Sequence, residues 1–361
     1  MSILDWGWDS YFEAEWNEAD RERAVPARVA GQQRKYWRVV GDFGECWAEA
    51  AGKLRRAADE GADWPAVGDW VAAEIGAAGE SALIQNVLPR RSRFLRKAAG
   101  KAMEEQVMAA NVDTVLLVCA LDRDFNLRRV ERYLAQCWES GAKPVVVLNK
   151  ADNCEDVREK AEEMERVALG TRVCVLSART GQGLAQLEEF LQPRKTVAML
   201  GSSGVGKSTL ANRLLGESRQ EVQEVRQSDS RGRHTTTSRE LLMLPGGALL
   251  MDTPGMRELQ LWDAEEGVAQ AFADIDALAQ QCVFRDCGHA GEPGCAVLAV
   301  VQEGSLLEER LENWRKLLRE QEFLRRKTDP EARAANKKQW KQIHKAAREK
   351  YRQRERDGGK R

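Results

Sequence analysis

The stretch that decides the fold is Val197–Leu210, VAMLGSSGVGKSTL. Its apolar start, Val197 to Leu200, predicts a buried strand. A glycine-rich turn follows, then a helix through Lys207, Ser208, Thr209 and onward to Leu215. Strand, G-x-x-x-x-G-K-[ST] and helix in this order make a phosphate loop. Glycines let the backbone wrap close enough for its N–H groups to point at phosphate oxygens, and the helix N-terminus adds a positive dipole end. Lys207 can reach the β- and γ-phosphates, and the Ser208 hydroxyl can ligate Mg²⁺.

Four further segments have a mechanical reason to accompany such a loop. Asp252-Thr253-Pro254-Gly255 is a D-x-x-G, whose carboxylate can reach the Mg²⁺ shell and whose Gly255 N–H can bond the γ-phosphate. Asn149-Lys150-Ala151-Asp152 is an N-K-x-D, whose carboxylate can accept from guanine N1–H and N2–H₂, a donor pair that adenine lacks. Ser177-Ala178 can support the same base. Arg233-His234-Thr235-Thr236-Thr237 offers a hydroxyl to Mg²⁺ in a loop that the γ-phosphate would order; the magnesium set is read as Ser208, Thr236 and Asp252, with Thr235 and Thr237 as alternatives to Thr236. Together these select GTP over ATP. Their order is unusual. N-K-A-D and S-A-R precede the phosphate loop, whereas an ordinary GTPase has them last, so the domain reads as circularly permuted, a change that close-lying termini make tolerable. The segment after D-T-P-G then leads straight into the C-terminal region.

Outward from this centre, the chain of 361 residues has room for two or three domains. No apolar run approaches the roughly 18 residues of a membrane span, and the acidic, aromatic N-terminus lacks the pattern of a secretory signal. A cytoplasmic protein without membrane contact is expected. Between Arg28 and about Ser92, short β-like runs separated by glycines (RKYWRVVGDFG, ECWAEAAGKLRR, VGDWVAAEIG, SALIQNVLPRRS) suggest a small β-barrel. Its interleaved basic and aromatic residues (Arg34 to Trp37, Lys53, Arg55, Arg56, Arg90, Arg91, Arg93) suit an OB-type barrel touching RNA, or a structural barrel with a charged rim. From Val107 to about Pro193 the pattern is α/β: near-continuous apolar strands at DTVLLVCAL, KPVVVLNKAD and TRVCVLSART, with helices at NLRRVERYLAQCWES, VREKAEEMERVALG and GLAQLEEFLQ. RELLMLPGGALLMD reads as a β-hairpin.

Of eight cysteines, Cys46, Cys119, Cys137, Cys154 and Cys174 are scattered and read as buried thiols. Cys282, Cys287 and Cys295 cluster with His289 as C-x4-C-x-H-x5-C. Three thiolates and one imidazole make a full tetrahedral set for a structural Zn²⁺, with no open position for catalysis. From Arg325 to Arg361 the last 37 residues carry 15 Lys or Arg against 5 Asp or Glu, a surface for nucleic acid or a solvated helix.

The combination of barrel, permuted GTPase with GSSGVGKS, RHTTT and DTPG, zinc spacing and basic tail resembles the RsgA (YjeQ) family of small-subunit-dependent GTPases. The resemblance spans nearly the whole chain. It implies an OB-fold domain, a GTPase domain and a zinc domain. It also implies binding to the 30S subunit and its 16S rRNA, a role in late 30S maturation, and GTP hydrolysis to GDP stimulated by the subunit. Carried over by position, Asn149, Lys150, Ala151 and Asp152 read guanine, and Gly201, Ser202, Ser203, Gly204, Val205, Gly206, Lys207, Ser208 and Thr209 hold the phosphates. Cys282, Cys287, His289 and Cys295 bind zinc. Met256 stands where many GTPases put a water-orienting Gln, as in the family, so by resemblance His234 is the catalytic candidate beside Lys207 and Asp252; the alternative role for His234 is only to tether its loop. The expected division is a helical extension at 1–27, the OB-fold barrel at 28–100, the permuted GTPase at 101–275 and a zinc-binding domain with a helical basic tail at 276–361, in a monomer. The rival functions are a permuted GTPase for another ribosomal particle and a nucleotide-gated rRNA-binding module with incidental turnover. The three N-terminal tryptophans match no motif.

Overall fold

Asp9 opens the first helix, its carboxylate accepting from the Tyr11 N–H at 3.0 Å and so satisfying one of the donors a helix start leaves over. The computed structural model describes residues 1–57, 64–77, 79–97, 105–216, 239–252 and 264–328. Helices α1 (Ser10–Glu15) and α2 (Glu18–Arg21) belong to an N-terminal arm that has a clear physical role. Trp6, Trp8, Phe12 and Trp16 are all buried, and Trp8 meets the Trp70 ring edge-on at 4.8 Å. The arm is an aromatic strap.

Strands β1 (Val25–Gln33), β2 (Tyr36–Gly41), β3 (Gly44–Ala50), β4 (Trp70–Ile75) and β5 (Ser81–Val87) form a closed barrel. Their order is β1-β2-β3-β5-β4, with β4 returning to β1; β3 and β5 run parallel. This is the OB-fold topology. Along β3 the side chains of Cys46, Ala48 and Ala50 are buried while Trp47 faces outward, the two-residue alternation of a half-buried strand. Where the sequence pattern ran on as β, Gly52–Ala57 instead forms helix α3. Lys, Leu and Arg are good helix formers, and Leu54 tucks inward. Arg93–Lys97 (β6) lies outside the barrel, pairing among the described residues with β7 alone (Glu105–Ala110).

The next strands are β8 (Thr114–Ala120), β9 (Lys143–Asn149), β10 (Arg172–Val175) and β11 (Thr196–Leu200), followed by the hairpin β12 (Arg239–Met243) and β13 (Leu249–Asp252). They lie in the order β10-β9-β8-β11-β13-β12, all parallel except β12. Helix α4 (Leu127–Ser140) follows β8 and ends at Gly141, whose φ of 83° makes the left-handed cap. Helix α5 (Val157–Val167) follows β9 and α6 (Lys207–Leu215) follows the phosphate loop. GLAQLEEFLQ contains only a 3₁₀ turn at Leu184–Leu187, closed by Pro193 soon after. The GTPase sheet continues into the barrel: β12 pairs with β1 through Gly31↔Glu240 and Gln32↔Arg239, making one sheet of eleven strands.

Helices α7 (Glu265–Ala271), α8 (Ala273–Ala279), α9 (Ala296–Gln302) and α10 (Glu308–Thr328) make the C-terminal region. Helix α7 packs closely on α4, where a Cβ on Gly267 would stand 2.0 Å from the Ala135 carbonyl oxygen. Only hydrogen fits there.

Candidate functional site

Open α/β sheets present ligand-binding residues just beyond the C-terminal ends of their strands. The four motif segments obey that rule here. N-K-A-D leaves β9, S-A-R follows β10, the phosphate loop leaves β11 and Asp252 ends β13. These strands are parallel, so all four segments emerge from one edge of the sheet. The permuted order of the segments in the chain does not keep them from meeting at that one edge.

The Asn149 side chain is buried and joins three of them. Its amide donates to the Val205 carbonyl in the phosphate loop at 2.8 Å, and its oxygen accepts from the Ala178 N–H at 2.9 Å. Asn149 therefore braces the N-K-A-D and S-A-R segments against the glycine-rich loop. Gly206, at φ 99°, lies against it; a Cβ there would stand 2.3 Å from the Asn149 amide nitrogen. Arg213, on α6, reaches back to the carbonyl oxygens of Ala178 at 3.3 Å and Arg179 at 2.5 Å. Asp152 pairs with Arg179. Its carboxyl is held below the usual carboxylate range, first by the Ser177 hydroxyl and also by Arg179, so it is a hydrogen-bond acceptor at neutral pH. The Lys207 ammonium donates to the carbonyl oxygens of Gly201 at 2.6 Å and Ser202 at 2.5 Å. Ser203, Gly204, Ser208 and Thr209 are exposed, open to an incoming nucleotide.

His234, Thr236 and Gly255 lie outside the described residues, as does the Asp252 side chain and the tail beyond Thr328. Of the basic and aromatic residues along the barrel, several turn out to be internal or paired. Trp37 is buried, stacked on Trp64 and donating to the Pro65 carbonyl at 2.8 Å. Arg90 pairs with the buried Asp69 at 2.8 Å, and Arg91 pairs with Asp9 above the Tyr11 and Phe12 rings. Arg34, Lys35, Tyr36, Lys53, Arg56 and Arg93 are exposed.

One loop at the site escaped sequence reading: Asp122-Arg123-Asp124-Phe125, immediately after β8. Asp122 accepts from Lys150 at 2.7 Å and from the Asp124 N–H at 2.8 Å, and Lys150 above all holds its carboxyl low. Asp124 accepts from the Ser202 hydroxyl and from Arg129 at 2.6 Å. The signal was available, because β8 is a buried parallel strand and its C-terminal end falls under the same rule as the others. What hid it was the lack of a spacing motif.

Cys282, Cys287, His289 and Cys295 come together with their donor atoms all within 4.8 Å of one another. A tetrahedron of Zn–S about 2.3 Å and Zn–N about 2.0 Å has edges of about 3.5–3.8 Å. The His289 Nδ1 lies 3.6 Å from Cys282 Sγ and 3.4 Å from Cys295 Sγ, and the two sulfurs are 3.9 Å apart. These residues fit a tetrahedral metal. Burial pushes the Cys282 thiol up, but the N–H groups of Ala296 and Val297 at the start of α9 and the neighbouring thiols outweigh it and lower the pKa. Burial, with Cys295 and Cys282 beside it, pushes Cys287 up to about 11. Burial keeps the His289 imidazole neutral, with Arg315 adding to the effect, the state in which it can donate a lone pair.

A family model described as RsgA GTPase matches residues 87–262. A model described as ABC transporter matches residues 184–348; that span holds the phosphate loop but excludes N-K-A-D and Ser177-Ala178. The curated small ribosomal subunit biogenesis GTPase RsgA of Opitutus terrae is 47% identical over 357 residues, covering 96% of this chain and 97% of its own. The crystal structure of YjeQ from Thermotoga maritima aligns with a TM-score of 0.62 at 29% identity, over 82% of this chain and 98% of that one. YloQ, described as a circularly permuted GTPase, aligns with a TM-score of 0.58 at 22% identity, over 83% and 95%, a likeness of fold.

Proposed function

This chain belongs to the RsgA GTPase family, and from that premise we propose that it couples GTP hydrolysis to a late step in building the small ribosomal subunit. The observation that carries the reading is that identity of 47% to a small ribosomal subunit biogenesis GTPase extends over 96% of the chain. A match of that extent spans nearly the whole chain, far beyond a borrowed phosphate loop.

In this reading Gly201–Thr209 wrap the phosphates, Asp152 accepts from guanine, and Asn149 holds both loops in register through Val205 and Ala178. Lys207 meets the β- and γ-phosphates; Ser208, Thr236 and Asp252 serve the magnesium that accompanies GTP. The Gly255 N–H senses the γ-phosphate, and His234 orients the attacking water. The metal of the Cys282, Cys287, His289 and Cys295 cluster is zinc in a structural role, since four protein donors leave no position for substrate. The barrel and the basic tail contact 16S rRNA, and the protein acts as a cytoplasmic monomer.

Mechanically, GTP stabilises one arrangement of the segments flanking the β12–β13 hairpin. Because β12 is hydrogen-bonded to barrel strand β1 and α7 follows β13 onto α4, the two neighbouring domains are gripped from the same switch region. Hydrolysis relaxes the grip, and the subunit is released.

The deciding experiment is GTP turnover with purified 30S subunits, with 50S subunits and with neither. Stimulation by 30S alone is expected; equal rates in all three would sink the reading. For the metal, about one equivalent of zinc is expected, lost in Cys282→Ser; a metal-free native protein would refute the cluster's role. For the tail, affinity for 30S should fall steeply with salt, and truncation after Lys327 should weaken it; an unchanged affinity would remove the tail from the interface.

A further inference from the structure

Ser202, the second residue of the phosphate loop, is held from three sides by charge. The Lys207 ammonium rests on its carbonyl oxygen at 2.5 Å. Its hydroxyl donates to Asp124, and Arg129 Nη1 reaches that hydroxyl at 2.8 Å while bonding Asp124 at 2.6 Å. None of this is required to build a glycine-rich turn, whose backbone needs only its glycines and the helix behind it.

The anchor points are stiff. Asp124 sits in a turn closed by Asp122, which is itself fixed to Lys150 at 2.7 Å. Arg129 leaves the first turn of α4, where the Asn126 side chain caps its N–H at 2.9 Å. A fixed backbone on both sides means that the Asp124–Ser202–Arg129 contacts transmit position, not merely charge. Their location in the loop decides which part of a nucleotide they govern. Lys207 is the residue that reaches the β- and γ-phosphates, and its ammonium lies on Gly201 and Ser202. The rim that Asp124 and Arg129 brace is therefore the end that takes the terminal phosphate.

We infer that Arg129, braced by Asp124, is a positioning residue for the γ-phosphate, acting through the Ser202 hydroxyl to set the rim of the phosphate loop and so to favour GTP over GDP. The inference rests on the GTP site described above. The Asp124 carboxylate raises the Arg129 pKa, so the guanidinium stays charged throughout the working range. The device also gives the base-reading side a link to the phosphate-reading side through Lys150, Asp122 and the Asp124 turn, separate from the Asn149 brace.

The test is a titration of the full-length protein with fluorescent GDP and with a fluorescent non-hydrolysable GTP analogue. Arg129→Ala should weaken the GTP analogue about tenfold, as expected for loss of one charge-assisted contact, while GDP affinity stays within about twofold. Ser202→Ala, a loss of one hydroxyl that leaves the fold intact, should reproduce that selective loss, and the double variant should be no weaker than either single one. Equal losses for both nucleotides, no loss for either, or additive losses in the double variant would overturn the inference. Failure of the unsubstituted protein to bind the GTP analogue would remove the GTP site itself and the inference with it.

Discussion

The GTPase domain is joined to its two neighbours by different physics. On the barrel side, β12 adds to β1 and the sheet runs through. At the heart of that junction lies Arg28, on β1, fully buried, which donates to the carbonyl oxygens of Trp6, Gly68 at 3.3 Å and Asn111 at 3.2 Å and to the Thr196 hydroxyl at 2.8 Å. Every partner is neutral, and burial lowers the Arg28 pKa to about 10. On the C-terminal side the join is ionic. Arg310, on α10, forks onto Asp274 at 2.7 and 3.0 Å, bonds Glu131 of α4 at 2.6 Å and lies over the Phe272 ring at 4.7 Å. Glu131 has no solvent exposure and takes a further bond from Asn313 at 2.6 Å. A backbone ladder tolerates many side chains, whereas a buried charge pair tolerates few. The first junction should yield gradually and the second abruptly.

Breaking the ionic junction should have the largest effect. Arg310→Ala leaves the Glu131 carboxylate buried without its cation, a loss of about 3–5 kcal/mol for pairs of this kind, to be read from urea unfolding. A pH series sharpens the point. Burial raises the Glu131 pKa above 4.5, with Arg310 pulling it back. A carboxyl raised on folding binds its proton more readily in the folded chain, so its contribution to stability is greatest in acid and falls as pH rises through the folded value. Removing Arg310 raises it further. The deficit of Arg310→Ala should therefore be largest near neutral pH and shrink on acidification; a deficit independent of pH would show that packing, not charge, holds the join.

Arg28→Ala comes next. It strands three carbonyl oxygens but no opposite charge, and a loss of about 2–3 kcal/mol is expected. Thermal unfolding measures it, and a loss equal to that of Arg310→Ala would erase the distinction between the junctions. The smallest effect belongs to Arg132→Ala. Arg132 forks onto Glu320 at 2.7 and 2.9 Å in the same C-terminal join, but both side chains are about one-third exposed. Less than about 1 kcal/mol should be lost, and less still at high salt.

Much of the site was legible because its chemistry has fixed spacing. G-x-x-x-x-G-K-S, N-K-x-D and the Cys/His run each place a few atoms around one ligand, and local chain geometry sets the intervals. The barrel was legible from its turn-bounded runs, although α3 was not, since its Leu54 and Ala57 continue the small and apolar types of the run before it and its three basic residues look like a charged rim. Asp124 and Arg129 could not be found by spacing, because they meet Ser202 across 78 and 73 residues. Trp37 and Arg90 looked like an RNA-facing surface and are instead held inside, because whether an amphipathic side chain faces water depends on what the neighbouring strands bring to it.

The sequence by itself determined the nucleotide chemistry, the permuted order of its parts, the Cys/His cluster and the presence of a small barrel, since each is written in short motifs or turn-bounded runs. Only the tertiary structure decided how these parts are coupled. It laid β12 against β1, strapped the N-terminal arm onto Trp70 through Trp8 and Phe12, seated Arg28 and Arg310 at opposite joins and brought the Asp122–Phe125 turn to the phosphate loop. Those contacts join residues far apart in sequence, and their energies come from burial and charge pairing that no local pattern records.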